Sequence, residues 1–114
     1  MRPDDRVRLR HMLGAARKAV GFAQQRQRAD LDADELAAHG LVRLIEIVGE
    51  AAARVAPETR AALPTLPWPA IVGMRNRLVH GYYDVDFDVV WDTLIHELPP
   101  LIEALERYLS YDSP

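Results

Sequence analysis

Gly73-Met-Arg-Asn-Arg-Leu-Val-His-Gly-Tyr-Tyr83 is the stretch on which the reading of this chain turns. Its apolar positions predict a helix over about 68–80. At about 100° per residue, Ile71, Val72, Met74, Leu78 and Val79 fall on one side. Arg75 lies only about 40° round from Ile71 on that wheel and so is expected to point into the apolar side. A cation there is costly unless it is paired or faces a polar cleft. His80 follows five residues later, about 140° round if the helix continues. Gly81 is a stop signal just past a helix end. A terminating turn there would swing His80 and Tyr82 towards Arg75. Asn76 and His80 are expected to be helical neighbours at i and i+4.

The rest of the chain has the composition of one domain around one core: 114 residues, 49% of them hydrophobic. Cysteine is absent, which removes disulfides, thiolate metal sites and a cysteine nucleophile. Neither a signal peptide nor a membrane-spanning run is expected, so a cytoplasmic protein is the default. The net charge of −3 is uneven: residues 1–30 carry +5 and residues 31–114 carry −8. A uniformly basic nucleic-acid binder is therefore excluded. The N-terminal arginines are either a solvated helix face or, with Arg75 and Arg77, a local basic surface.

Helical spacing continues on both sides of the central stretch. A first helix is predicted over about 4–28, with Val7, Leu9, Met12, Leu13, Ala16, Val20 and Ala23 as its stripe. Pro3 suits its start, and Asp4 and Asp5 suit its positive end. Residues 29–34 read as a connection, with Asp32 and Glu35 forming a capping box. A second helix then runs to about Ala56. On it Glu46 and Glu50 share a face, with Arg43 and Arg54 one turn to either side. That pattern is a salt-bridged surface, or one of the glutamates is the partner Arg75 needs. Gly49 lowers helix propensity and marks a close helix contact. Pro57 opens a short helical turn, and Trp68, between Pro67 and Pro69, reads as a core plug. Asp84, Asp86 and Asp88 do not fit a calcium loop, since Val89 and Ile95 stand where glycine and glutamate are needed. They are expected to cap and charge a fourth helix, which Pro99-Pro100 interrupts before a last segment to Leu109. No segment shows strand alternation. The prediction is an all-α, antiparallel four- to five-helix bundle.

The chemistry available is limited. The histidines are His11, His39, His80 and His96, and none has zinc-site spacing. There is no phosphate-binding glycine loop. Ser110 and Ser113 are the only serines, which excludes a serine hydrolase. His, Arg, Asn and Tyr suit metal-free RNA cleavage, because the ribose 2′-OH is the internal nucleophile. The protein then needs only to move protons, as a histidine can, and to stabilise phosphate charge, as an arginine can. On spacing alone, Arg75 and His80 also fit a buried Arg–Glu pair and a satisfied helix-end histidine.

Arg75-Asn-Arg-Leu-Val-His80-Gly-Tyr82 resembles the Arg-(four residues)-His-X-Tyr motif of HepT-type toxins in the HEPN superfamily. Glu46-Ile-Val-Gly-Glu-Ala51, Pro67-Trp68, Ile71 to Tyr82, Val90-Trp-Asp-Thr93 and Leu98-Pro-Pro-Leu-Ile102 extend the resemblance over about residues 4–108. It implies a single HEPN-like domain over 1–114, acting as a homodimer whose motif helices meet at a composite cleft. It implies a metal-independent ribonuclease toxin with no cofactor, acting on tRNA or mRNA. The implied partner is a minimal nucleotidyltransferase antitoxin of the MntA type, which transfers AMP to the motif tyrosine. By motif position, Arg75 would stabilise phosphate and His80 would act as general acid or base. Asn76 would orient the phosphate or the histidine, and Tyr82 would accept AMP, with Tyr83 the adjacent hydroxyl. Glu46, Glu50 and Arg77 are candidate supporting residues. The alternative is a non-catalytic nucleotide- or RNA-binding scaffold that docks a nucleotidyltransferase.

Overall fold

Pro3 opens the first helix, α1 (Pro3–Ala23), where a fixed φ and a missing N–H cost nothing. The computed structural model describes residues 2–81 and 84–111. Helix α1 buries Leu9, Met12, Ala16 and Ala19 completely. Val7, expected in the same stripe, is 40% exposed. The helix ends short of residue 28 because the chain turns at Gln25, whose φ is +66°.

The predicted connection contains a short helix, α2 (Ala29–Ala33). Arg28 pins it by ion pairs to Asp32 (3.1 Å) and Asp88 (2.6 Å). The capping box at Asp32 is corrected: Asp34 caps the next helix, accepting from the Ala37 N–H at 3.1 Å. Asp34 stands immediately before Glu35 with a non-helical backbone (φ −132°), the position from which a carboxylate reaches the free N–H groups. Helix α3 (Glu35–Ala53) stops before Ala56, which is extended as the residue before a proline prefers. Pro57 opens α4 (Pro57–Ala62) as predicted.

Asp5, expected to do no more than charge the start of α1, joins these ends. It is 3% exposed, accepts from the Thr59 hydroxyl at 2.5 Å and from the Ala56 N–H at 3.1 Å. The start of α1 therefore lies against the end of α3, and the two helices are antiparallel. Arg60 of α4 donates to the carbonyls of Ala52 (2.9 Å) and Val55 (3.2 Å), which ties α4 to the end of α3. Trp68 is a core plug, 7% exposed, with its indole N–H on the Leu63 carbonyl at 3.1 Å.

The predicted helix over 68–80 is two short helices, α5 (Trp68–Val72) and α6 (Met74–Leu78). Between them Gly73 departs from helical geometry (φ −87°, ψ 2°). Val79–His80 and Asp84–Val85 follow as strands β1 and β2, paired antiparallel with His80 opposite Asp84. Two-residue strands are too short to show period-2 alternation, which is why the hairpin is silent in the sequence. Gly81 adopts φ +81°, a left-handed value that glycine reaches without penalty.

Asp86 caps α7 (Phe87–Asp92) through the N–H groups of Asp88 (3.1 Å) and Val89 (3.2 Å), as predicted. The chain then runs without a break through a π-helical turn, Thr93–Glu97, into α8 (Leu98–Tyr111). Pro99-Pro100 does not interrupt this rod. The wide turn precedes the prolines and accommodates their rings and missing donors. Three long rods and the broken α5–α6 segment enclose one core, with Ile45, Val48, Leu78, Leu94 and Leu105 fully buried. The all-α expectation stands, with the small hairpin as an addition. No helix among the described residues is long and apolar enough to cross a membrane.

Candidate active site

Gly49 sets where the central stretch lies. A Cβ there would stand 3.2 Å from the carbonyl oxygens of both Ile71 and Val72. Any side chain there would press on those carbonyls by a few tenths of an ångström, so the close helix contact expected at Gly49 is present. The turn at Gly73 then fixes the register of α6. Ile71 (2% exposed), Met74 (3%) and Leu78 (0%) form the buried stripe.

Arg75 therefore does not enter the apolar side. It is exposed at the edge of α6, and its Nε lies 2.9 Å from Oε2 of Glu46 on α3. Glu46 is the partner Arg75 was expected to need. The salt-bridged surface is present too: Arg43 reaches Glu46 at 2.6 Å and Glu50 at 3.6 Å. Arg43 is held more firmly protonated by the Glu46 hydrogen bond first, against some desolvation, and by Glu50. A groove of about 250 Å³ opens here, lined by Glu46, Gly49, Glu50, Val72, Arg75 and Asn76.

The other arginine of the stretch, Arg77, pairs with Glu97 of the π-helical turn at 2.9 Å. The Thr93 hydroxyl donates to the Val89 carbonyl at 2.8 Å and lies 3.2 Å from Glu97. Arg77 thus ties α6 to the last rod. This brace was not foreseen, although the Pro99-Pro100 pair marks the irregular turn that supplies Glu97.

His80 is exposed on β1. Helix α6 ends at Leu78, so the helical i,i+4 neighbourhood expected for Asn76 and His80 does not form. The β-branched Val79 (φ −121°, ψ 125°) already belongs to the strand. The hairpin is closed at its base by the Asp86 N–H on the Leu78 carbonyl at 2.7 Å. His80 is thus carried on a separate element directly after the one that carries Arg75 and Asn76. Tyr82 and Tyr83 lie outside the described residues. Asp84 sits opposite His80 in the ladder, Asp86 caps α7 and Asp88 holds Arg28. Among the described residues no three His, Asp or Glu side chains are grouped as a metal site.

The Arg-Asn pair on a groove, followed by a histidine hairpin, lies within the segment that matches the description ribonuclease HepT-like, residues 12–108. The chain belongs to the ribonuclease HepT-like family. Among its relatives is a protein of Caldanaerobacter subterraneus subsp. tengcongensis, provisionally named an RNase. It is 34% identical over 80 residues, covering 70% of this chain and 71% of that one. A probable ribonuclease HepT of Thermococcus cleftensis is 31% identical over 78 residues, 68% of this chain and 71% of that one. A provisionally named RNase of Methanocaldococcus jannaschii is 25% identical over 103 residues, 90% of this chain and 94% of that one. No solved structure matches.

Proposed function

We propose that this HepT-like chain is a metal-independent endoribonuclease and the toxin of a toxin–antitoxin pair. The observation that carries the reading is how Arg75 is held. Glu46 engages its Nε, so the two terminal amino groups of the guanidinium can face an anion in the groove beside Asn76. A planar, permanently charged fork suits the non-bridging oxygens of a phosphate.

The chemistry follows from RNA itself. The ribose 2′-OH loses its proton and attacks the adjacent phosphorus. The bond to the 5′-oxygen breaks, and that oxygen takes up a proton. Arg75 stabilises the charge that builds on the phosphoryl oxygens. Asn76 orients the phosphate or the histidine through its amide. His80 transfers a proton as general acid or base. In a homodimer, a second copy brings a second His80 to a composite cleft. Val72, 38% exposed beside Arg75, gives the groove an apolar edge that a second protomer would cover.

Regulation follows the same logic. AMP transferred to Tyr82 by an MntA-type nucleotidyltransferase adds bulk and negative charge next to the motif, which obstructs and repels RNA phosphate. The substrate is RNA, tRNA or mRNA, in the cytoplasm, with no cofactor required.

The test is RNA cleavage in EDTA by the purified chain and by His80→Ala, with intact mass measured on both. Cleavage by wild type and not by the variant is expected. Cleavage by both would remove His80 from the mechanism. No cleavage by wild type of confirmed unmodified mass would favour a non-catalytic domain that docks the nucleotidyltransferase.

A further inference from the structure

A second groove adjoins the first and is not explained by it. Glu50 lines both. The second groove has a volume of about 280 Å³ and lies between α1, which supplies Arg8 and His11, and α3, which supplies Arg43 and Ile47 with Arg54 at its C-cap. Three arginines thus converge on one concavity, with Glu50 as the only carboxylate among the described residues that line it. That carboxylate and Glu46 already answer Arg43. The side chains of Arg8 and Arg54 form no ion pair or hydrogen bond among the described residues.

Folding alone gives no reason for this arrangement. Arg54 stands at the end of α3, where the helix dipole favours a cation. The dipole does not account for Arg8, which faces the same groove from the start of α1. Uncompensated like charges raise the energy of the folded chain, and a bound polyanion removes that cost. Arg43 and Arg54 are separated by about 16 Å along α3. That span is longer than a single phosphate group, so the groove can hold more than one. The chain of contacts from Arg75 through Glu46 to Arg43 makes the two grooves one continuous polar strip.

We infer that the α1–α3 groove is a backbone track for single-stranded RNA, in which Arg8 and Arg54 hold phosphates further along the strand from the one at Arg75. The inference rests on the ribonuclease reading for its ligand. Contacts of this kind grip phosphate and carry no base preference.

The test is equilibrium binding of a labelled, unstructured RNA oligonucleotide over a salt series, in EDTA and in a His80→Ala background that keeps the RNA intact. Adding Arg8→Ala and Arg54→Ala together is expected to weaken binding by about tenfold at low salt. The slope of log K against log salt should become shallower by about 1.4, from two phosphates at ~0.7 each. The Arg8→Lys, Arg54→Lys pair should retain the parent slope, because phosphate gripped as a point charge accepts lysine. Unchanged affinity and slope in the alanine pair would overturn the track, as would equal losses in the alanine and lysine pairs. Wild-type cleavage is assayed in parallel. Cleavage with an unaffected alanine pair sinks the track and leaves the ribonuclease reading. A weakened alanine pair without wild-type cleavage does the reverse.

Discussion

The Nε of Arg75 stands 2.9 Å from Oε2 of Glu46, and the same carboxylate takes Arg43 at 2.6 Å. One acidic side chain on α3 thus fixes the cation of the motif and links it to a second arginine. Glu46 is half-buried while Arg75 is exposed, so the pair contributes less than about 1 kcal/mol to stability. Its value is in aiming the guanidinium. Glu46→Gln keeps the size and removes the charge. Melting should shift little, whereas RNA cleavage should fall by up to about 100-fold, the scale of an ångström-level misplacement. A cleavage rate equal to wild type would show that Arg75 needs no anchor.

Gly49 tests how the same segment is docked. Its missing Cβ leaves room for two backbone carbonyls, and backbone yields less readily than a flexible side chain. Gly49→Val should push α5 away from α3, at a cost of about 1–3 kcal/mol from overpacking. Urea unfolding would read that loss. Because α5 leads straight into α6, the variant should also lose cleavage more steeply than its stability alone explains. A variant as stable as wild type would mean that α5 can retreat freely.

Asp5 gives the fold a pH dependence whose sign can be worked out. The Thr59 hydrogen bond lowers its pKa first, burial opposes it, and the Ala56 N–H and the Arg2 charge lower it further; the net effect is below the ordinary value of 3.8. A carboxyl depressed in the folded state adds stability that is fully present above the unfolded pKa. That stability is lost as pH falls through the lower, folded value. Asp5→Asn should therefore cost about 1–3 kcal/mol at neutral pH. The gap between variant and wild type should narrow below about pH 4. Urea titrations of both proteins at neutral and acid pH would check this, and a gap independent of pH would assign the loss to packing alone.

The helices were legible because Leu9, Ile45 and Leu105 recur with helical period, and Gly49 announced a close contact by its cost. The motif segment was read one element too simply. Periodicity over 68–80 carries through Gly73 almost unbroken, so the register change that turns Arg75 outward leaves no hydrophobic trace. The hairpin at His80 depends on Asp86 reaching back to Leu78, a contact that no local pattern announces. Asp5 looked like an ordinary first-turn acid because Thr59, its buried partner, is 54 residues away. Arg8 and Arg54 share a groove for the same non-local reason. Residue types therefore pointed to the chemistry, while the fold supplied the anchors.

Tyr82 completes the proposed regulation, and its test is independent of cleavage. The chain is incubated with an MntA-type nucleotidyltransferase and ATP, and its intact mass is followed. The mass of adenylyl groups should appear on wild type, persist in Tyr83→Phe and vanish in Tyr82→Phe. Modified protein should lose RNA binding as well as cleavage, because the added phosphate repels the one the groove must hold. If Tyr83→Phe alone blocked the gain, the acceptor would be the neighbouring hydroxyl. Modified chain that still binds RNA with full affinity would separate the tyrosine from the phosphate path through Arg75.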